Sequence, residues 1–207
     1  TGSSPARLGA IADFLGVDVG AAEKQVARIH CCGGLGRARM LASYQGEESC
    51  RAAHLVGGGG LECSWGCLGL ADCVRACTFD AMRMNGSRLP VVDVRKCTAC
   101  GDCVTACPRA LIDIVPLAHP LIVQCSAPLA AEAARHLCSA ACDACGRCAA
   151  DAAPGLVRMV GNLPVIDYAA GGPAAPAATY RCPTGAIRWV TGDQFLEDEA
   201  PVRSAHA

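Results

Sequence analysis

Apolar residues in this chain come in short bursts rather than long runs. Between Ala6 and Leu15, the residues Leu8, Ile11, Ala12 and Leu15 fall at helical spacing and Gly16 follows as a stop, which predicts a short helix. The stretch Val26 to Cys31 has the length and continuity of a buried strand. After a Gly-rich turn, Ser49 stands where an N-cap would, ahead of a helix through Arg51, Ala52, Ala53 and Leu55. Gly57 to Gly60 would end that helix and is expected to mark a domain boundary.

Two later stretches repeat one another. Met82 to Asp93 and Val157 to Asp167 each place a short apolar strand on either side of a turn, at Asn85-Gly86 in the first and Gly161-Asn162 in the second. A second echo accompanies the first: Val26 to Cys31 resembles Leu121 to Cys125, which precedes the Ala-rich stretch Leu129 to Leu137. Both lead into a Cys-x3-Cys pair. The repetition implies two homologous modules. Ala169 to Thr179 is low in complexity and is expected to be a flexible loop.

Composition turns this outline towards chemistry. The chain has 207 residues and 17 cysteines. A disulfide framework spreads cysteines singly, whereas here they cluster at three-residue intervals, as metal-binding runs do, so a reducing, cytoplasmic location is expected. No run of 18 apolar residues occurs. The net charge is −1, and the 18 basic residues, of which only Lys24 and Lys96 are lysines, are dispersed, so nucleic acid is not an expected partner. With aromatic content at 4% each core must be small, and bound metal clusters would serve as staples.

The most specific element is Cys97-x2-Cys100-x2-Cys103-x3-Cys107-Pro108, the bacterial ferredoxin run, in which three thiolates hold one cubane cluster and the fourth reaches a second. Paired Cys-x2-Cys units also bind zinc, but four consecutive cysteines ending in Cys-Pro fit zinc poorly. Upstream lies an irregular partner run, Cys63-x3-Cys67-x5-Cys73-x3-Cys77. Here Leu70 takes the second place, Cys63 is expected to supply the missing thiolate, and Thr78 replaces the usual Pro. Crossing the fourth ligands gives one cluster on Cys63, Cys67, Cys73 and Cys107 and another on Cys97, Cys100, Cys103 and Cys77.

The second module keeps Cys142-x2-Cys145-x2-Cys148, has Ala152 in the fourth place, and retains Cys182-Pro183 downstream. The survivors are the complete ligand set of one cluster, Cys142, Cys145, Cys148 and Cys182, while those of its sister are missing. Three 4Fe-4S clusters are therefore expected. Cys31, Cys32, Cys50, Cys125 and Cys138 remain: either buried thiols, or, for four of them, ligands of a fourth cluster, with Cys31 and Cys125 ending matching strands and Cys138 matching Cys63.

Other residues add little. The five His are scattered, and His30 beside Cys31 reads as a core or surface residue. Trp65, between Cys63 and Cys67, is placed to shield a cluster from water. Asp193, Glu197, Asp198 and Glu199 form an acidic tail, expected to be a solvated end rather than a dock for a basic partner. No Ser-His-Asp set, phosphate-binding loop or paired carboxylates stand in a catalytic pattern, so a self-contained enzyme is not expected.

The expected architecture is α+β: a small α/β N-terminal segment (1–60), a two-cluster ferredoxin domain (61–117) and a degenerate ferredoxin domain keeping one cluster (118–207). Val26 to Cys31 with Gly33-Gly34, Ser49 to Ala53 with the glycines that follow, and Cys63-Ser64-Trp65-Gly66-Cys67-Leu68-Gly69-Leu70-Ala71-Asp72-Cys73 resemble the B subunit of the Rnf complex. That complex is a membrane-bound ferredoxin:NAD oxidoreductase coupling electron transfer to cation transport. The resemblance covers nearly the whole chain and implies a non-catalytic carrier, relaying single electrons from a soluble ferredoxin-like donor to other subunits of the redox complex at the cytoplasmic face of the membrane. It also implies an N-terminal anchor helix and a further cysteine-rich domain, which this chain is expected to lack. The alternatives are a polyferredoxin subunit of another complex, such as a hydrogenase, disulfide reductase or reaction centre, and a structural metal-binding interaction module.

Overall fold

A computed structural model describes residues 5–15 and 23–196. The first half of the chain contains α1 (Pro5–Leu15), β1 (Gln25–Ile29), α2 (Cys50–Leu55), a 3-10 turn at Gly57–Gly60, α3 (Asp72–Arg75), the strands β2 (Met82–Met84) and β3 (Pro90–Val92), α4 (Asp102–Ala106) and β4 (Ile112–Pro116). The second half repeats much of this with β5 (Leu121–Val123), α5 (Ala131–Leu137), α6 (Arg147–Asp151), β6 (Val157–Val160), β7 (Leu163–Ile166), α7 (Ala177–Tyr180) and β8 (Ile187–Trp189). This is the mixed, tandem ferredoxin-like architecture expected. Among the described residues, no helix is long and apolar enough to cross a membrane.

Each half is closed by a two-stranded antiparallel ladder whose strands bracket the cysteine runs. β1 pairs with β4, Ile29 opposite Ile112, and β5 pairs with β8, Val123 opposite Ile187. From Val26 to Ile29 every residue of β1 is buried, which explains an unbroken strand sequence in place of alternation. The N-terminal segment thus completes the first ferredoxin unit through its own strand. The run Gly57–Gly60 packs as well: Gly58 and Gly59 are buried, and the Leu41 N–H donates to the Gly60 carbonyl at 2.8 Å.

Both hairpins form, with different turns. Val160 lies opposite Leu163, and Gly161 and Asn162 between them both have positive φ (52° and 67°), the tight turn the sequence announced. In the first hairpin Met84 lies opposite Pro90, so the loop runs from Asn85 to Leu89 and is longer than the Asn85-Gly86 pair suggested. Its closure comes from the Asn85 side chain, whose Oδ1 accepts from the N–H groups of Ser87 (3.0 Å) and Leu89 (2.9 Å).

Other elements depart from expectation. α1 forms as expected, but of its apolar residues Ala12 is buried while Ile11 and Leu15 are exposed; Gly16 lies outside the described residues. The stretch from Ala169 to Thr179 is not simply a flexible loop. It turns at Asp167, whose Oδ1 accepts from the Ala169 and Ala170 N–H groups, and it leads into α7 with Ala178 buried. Asp193 is not part of a solvated tail, because it accepts from the Val94 N–H at 3.0 Å while Gln194 and Phe195 beside it are buried. The Gln194 amide bonds both the N–H and the carbonyl of Ile29, doing at the open edge of β1 what a further strand would do. Glu197, Asp198 and Glu199 lie outside the described residues.

The two halves share a core. Ala27, Ile29, Val91, Val92, Leu111 and Ile112 of the first pack with Ala134, Ala140 and Ala141 of the second, and a smaller core of Leu121, Leu156, Val157, Ala178 and Ile187 fills the second alone. His30 is a strut in this contact: Nδ1 donates to the Val123 carbonyl at 2.7 Å, and Nε2 lies 3.3 Å from Asp113.

Candidate metal centre

Three cysteine loops share one backbone signature. In Cys67–Cys73, Cys97–Cys103 and Cys142–Cys148, the residue two past the first cysteine has positive φ (Gly69, Ala99, Ala144), and so does the residue four past it (Ala71, Gly101, Gly146). Each loop then enters a one-turn helix, α3, α4 or α6, that buries the next cysteine, Cys73, Cys103 or Cys148. A residue of positive φ at every second position bends such a loop so that backbone N–H groups can face one concavity, a natural cradle for a negatively charged group. An alanine in the left-handed region is uncommon, and its recurrence at matching positions marks these loops as functional.

Three cavities and one further cluster of side chains then sort the thiols. One apolar cavity is lined by Cys50, Cys67, Cys73 and Cys107, and a second by Cys77, Cys97, Cys100 and Cys103. In the second half Cys148 and Cys182 share a core, and Cys142, Cys145, Cys148 and Cys182 stand close enough for their charges to interact. The last cavity is lined by Cys31, Cys63, Cys125 and Cys138, with Trp65 in its wall. Cys32 stands outside the four groups; it is buried, and its thiol donates to the Ala140 carbonyl at 3.6 Å.

The structure therefore brings Cys77, Cys97, Cys100 and Cys103 together as the spacing suggested. It does not bring Cys63 to Cys67, Cys73 and Cys107; Cys50 takes that place. The cause is local. Ser49 caps α2, accepting from the Ala52 N–H, and its hydroxyl donates to Asp72 at 3.1 Å, while Asp72 also accepts from the Arg51 N–H at 3.0 Å. Arg75 pairs with Asp72 and donates to the Glu48 carbonyl. These bonds pin the start of α2, with Cys50 as its first residue, against the start of α3. Cys63 is held elsewhere by Arg109, which donates to the carbonyls of Cys63 (2.6 Å) and Gly66 (2.7 Å). The Ser49 cap was legible in the sequence, but its bond to Asp72, which brings Cys50 beside α3, was not.

The donor sets fit iron-sulfur clusters. Burial pushes the thiols of Cys73 and Cys142 up to about 12 and those of Cys31 and Cys103 up to about 11, with neighbouring cysteines adding to the shift in each case. Such groups lose their protons together only when a cationic core takes the charge, so cluster loading is coupled to proton release. Among the described residues, no three His, Cys, Asp or Glu side chains converge on a point that one ion could occupy. The thiols ring cavities instead, which suits a multi-iron cluster rather than a tetrahedral zinc with sulfurs about 3.8 Å apart. Backbone donors already face several sulfurs, as the Leu111 N–H does to Cys107 Sγ at 3.4 Å.

Loop signature, ferredoxin hairpins and four-thiol groups define an iron-sulfur protein of the polyferredoxin kind. A family model described as a 4Fe-4S binding domain matches residues 89–112, from β3 to the start of β4. The chain is 33% identical over 196 residues, 94% of its length and 69% of the relative's, to the B subunit of the proton-translocating ferredoxin:NAD(+) oxidoreductase complex of Clostridium ljungdahlii. It is 41% identical over 133 residues, 64% of this chain and 40% of the relative, to the B subunit of the Na(+)-translocating ferredoxin:NAD(+) oxidoreductase complex of Acetobacterium woodii. It is 32% identical over 157 residues, 76% of this chain and 60% of the relative, to the B subunit of the ion-translocating oxidoreductase complex of Methanosarcina acetivorans. The chain belongs to this family of B subunits, and it spans between 40% and 69% of the length of these relatives.

Proposed function

We propose that this chain is a one-electron relay of an ion-translocating ferredoxin:NAD(+) oxidoreductase complex, taking electrons from a soluble ferredoxin-like donor and passing them to other subunits at the cytoplasmic face of the membrane. The observation that carries this reading is the gathering of twelve thiols into three four-thiol sets on loops of one backbone signature. Cys50, Cys67, Cys73 and Cys107 would hold one 4Fe-4S cluster, Cys77, Cys97, Cys100 and Cys103 a second, and Cys142, Cys145, Cys148 and Cys182 a third. The names of the relatives supply the complex and the donor.

Bound clusters supply one-electron redox chemistry; the chain supplies position and environment. Residues 1–60, 61–117 and 118–207 make sense as sequence modules, the first lending β1 and Cys50 to the second. Cys73 lies in α3 and Cys77 two residues past its end, in different sets, as are Cys103 in α4 and Cys107 at its C-cap, so two short helices hold the first pair of sites side by side. Apolar walls exclude water, and backbone N–H groups stabilise charge on sulfur, which raises a cluster's potential.

The test is anaerobic purification followed by iron and acid-labile sulfide analysis and titration with reduced ferredoxin. At least about 12 iron and 12 sulfide per chain, with visible absorption that bleaches on reduction by ferredoxin, is expected. Zinc without sulfide would overturn the relay, and clusters reduced by dithionite but not by ferredoxin would remove the proposed donor.

A further inference from the structure

The ferredoxin runs leave over a group of cysteines that no motif connects. Cys31 and Cys63 belong to the first half and Cys125 and Cys138 to the second, yet all four line one cavity. We propose that Cys31, Cys63, Cys125 and Cys138 hold a fourth 4Fe-4S cluster at the junction of the two ferredoxin units. The inference rests on the relay reading above and extends it from three centres to four.

The arrangement follows from the internal repeat. β1 ends at Ile29 and β5 at Val123, and each strand is followed, two residues on, by one of these cysteines. The two strand ends are laced together: the Cys32 N–H donates to the Gln124 carbonyl at 2.9 Å and the Ser126 hydroxyl to the His30 carbonyl at 2.8 Å. The other two ligands also occupy matching positions, since Cys63 and Cys138 each stand four residues ahead of the first cysteine of the loop that follows, Cys67 and Cys142. Each half thus contributes the same two positions, and neither half alone has a complete set.

Independent features point to a ligand in this cavity. Its walls are mostly small or apolar residues, among them Ala127, Leu137, Ala140, Ala141 and Trp65, with Gln124 and Ser126 the polar members. Two backbone N–H groups, of Gly33 at 3.4 Å and Cys67 at 3.3 Å, already donate to Cys31 Sγ, the pattern of a cluster ligand rather than of an idle thiol. A Cβ on Gly33 would lie 3.0 Å from Cys138 Sγ and 3.6 Å from Cys31 Sγ, so glycine here is what leaves room between sulfurs from the two halves. Opposite charge is at hand in Arg109, which is bonded to the Cys63 carbonyl.

The position gives the site a purpose. Cys67, a ligand of the first site, donates its N–H to Cys31; Ala141, in the cavity wall, directly precedes Cys142 of the third site. A centre here takes one electron from a cluster in the first half and hands the same electron to the cluster in the second, with no bond made and no proton moved. Among the described residues, no other set of four thiols draws on both units.

Adjacent cysteines make the test sharp. Iron and sulfide per chain are measured for the wild type, for the double variant Cys31→Ala/Cys125→Ala, and for Cys32→Ala, all purified without oxygen. The expected result is about 16 iron in the wild type and in Cys32→Ala, and about four fewer in the double variant, with sulfide falling in step. An unchanged count in a folded double variant overturns the fourth site while leaving the other three intact, whereas a wild type far below 12 would instead strike the relay reading. Zinc in place of iron at the fourth site overturns the proposal too. Should the double variant fail to fold, the wild type decides: about 16 iron supports the site and about 12 overturns it.

Discussion

The two ferredoxin units start from one plan and fill it differently. In the first, α3 and α4 each hold a cysteine of one set and lead into a cysteine of the other, and the thiol-lined cavities sit in the core itself: Cys73 and Cys103 are buried among Ile29, Val91, Val92 and Ile112. In the second, the counterpart of Cys77 is Ala152, and side chains stand where the sister set would be. Ala152, Ala153, Tyr168 and Ala174 pack on Leu156 and Ala178, the Tyr168 hydroxyl accepts from the Leu121 N–H at 2.8 Å, and α7 closes over them. Small apolar packing can therefore replace a cluster as a staple, though not as a redox centre. With clusters in the proposed sites, the first unit should depend on its metal for shape and the second much less.

That contrast can be broken most directly by removing the metal. Anaerobic chelation is expected to lower hydrogen-exchange protection in β2, β3 and α4 by on the order of 100-fold or more, while β6 and β7 lose far less; equal losses would erase the distinction. Next in size, Cys50→Ala should remove about four iron from the first unit, and adding Leu70→Cys should restore them, because Leu70 stands on the same loop backbone as Cys100 and Cys145. Failure of that rescue would mean that matching φ angles do not give matching ligand positions.

A smaller effect concerns charge. Arg28 is wholly buried in β1, donates to the Gly192 carbonyl at 2.7 Å, and lies near enough to Cys97 for their charges to interact. A buried cation favours the more negative reduced state, so Arg28→Met should lower the potential of the Cys97 site by on the order of tens of millivolts and leave the second unit's site unmoved, as read by a redox titration.

The smallest effect is one of acid stability. Burial pushes the Asp72 carboxyl up, but hydrogen bonds from the Arg51 and Cys50 N–H groups and Ser49, with the charge of Arg75, outweigh this and hold it below its ordinary 3.8. A depressed carboxyl contributes stability that is full above the unfolded value and is lost as pH falls through the folded one. The first unit should therefore weaken as pH drops below about 4, and Asp72→Asn should flatten that slope in a denaturation series. Ser49→Ala should cost about 1 kcal/mol through the lost cap.

Much of this was legible in the residues, and the limits were physical. The hairpins, the capped α2, β1 and the Cys97–Cys107 run could be read because each depends on neighbours within a few positions: a turn pair, an N-cap, a ligand spacing. Cys50 and Cys63 line other cavities than their spacing suggested, for the opposite reason. Cys63 is only four residues from Cys67 and looked like its partner, yet the Arg109 bonds to its backbone come from 46 residues away and hold it at another cavity. Likewise Ala169 to Thr179 looked featureless because, beyond the turn at Asp167, its order comes from packing on Leu156.

What the amino-acid sequence by itself determined is the chemistry and the repeat: soft thiolate donors at cubane spacing, on two copies of a strand, loop, helix and hairpin plan. Only the tertiary structure decided which thiols share a cavity. Partners such as Cys31 and Cys125, 94 residues apart by number, meet because two ladders, β1 with β4 and β5 with β8, bring equivalent strand ends together. Ligand spacing is a local property of the chain, whereas a cavity shared by two modules is a property of their interface.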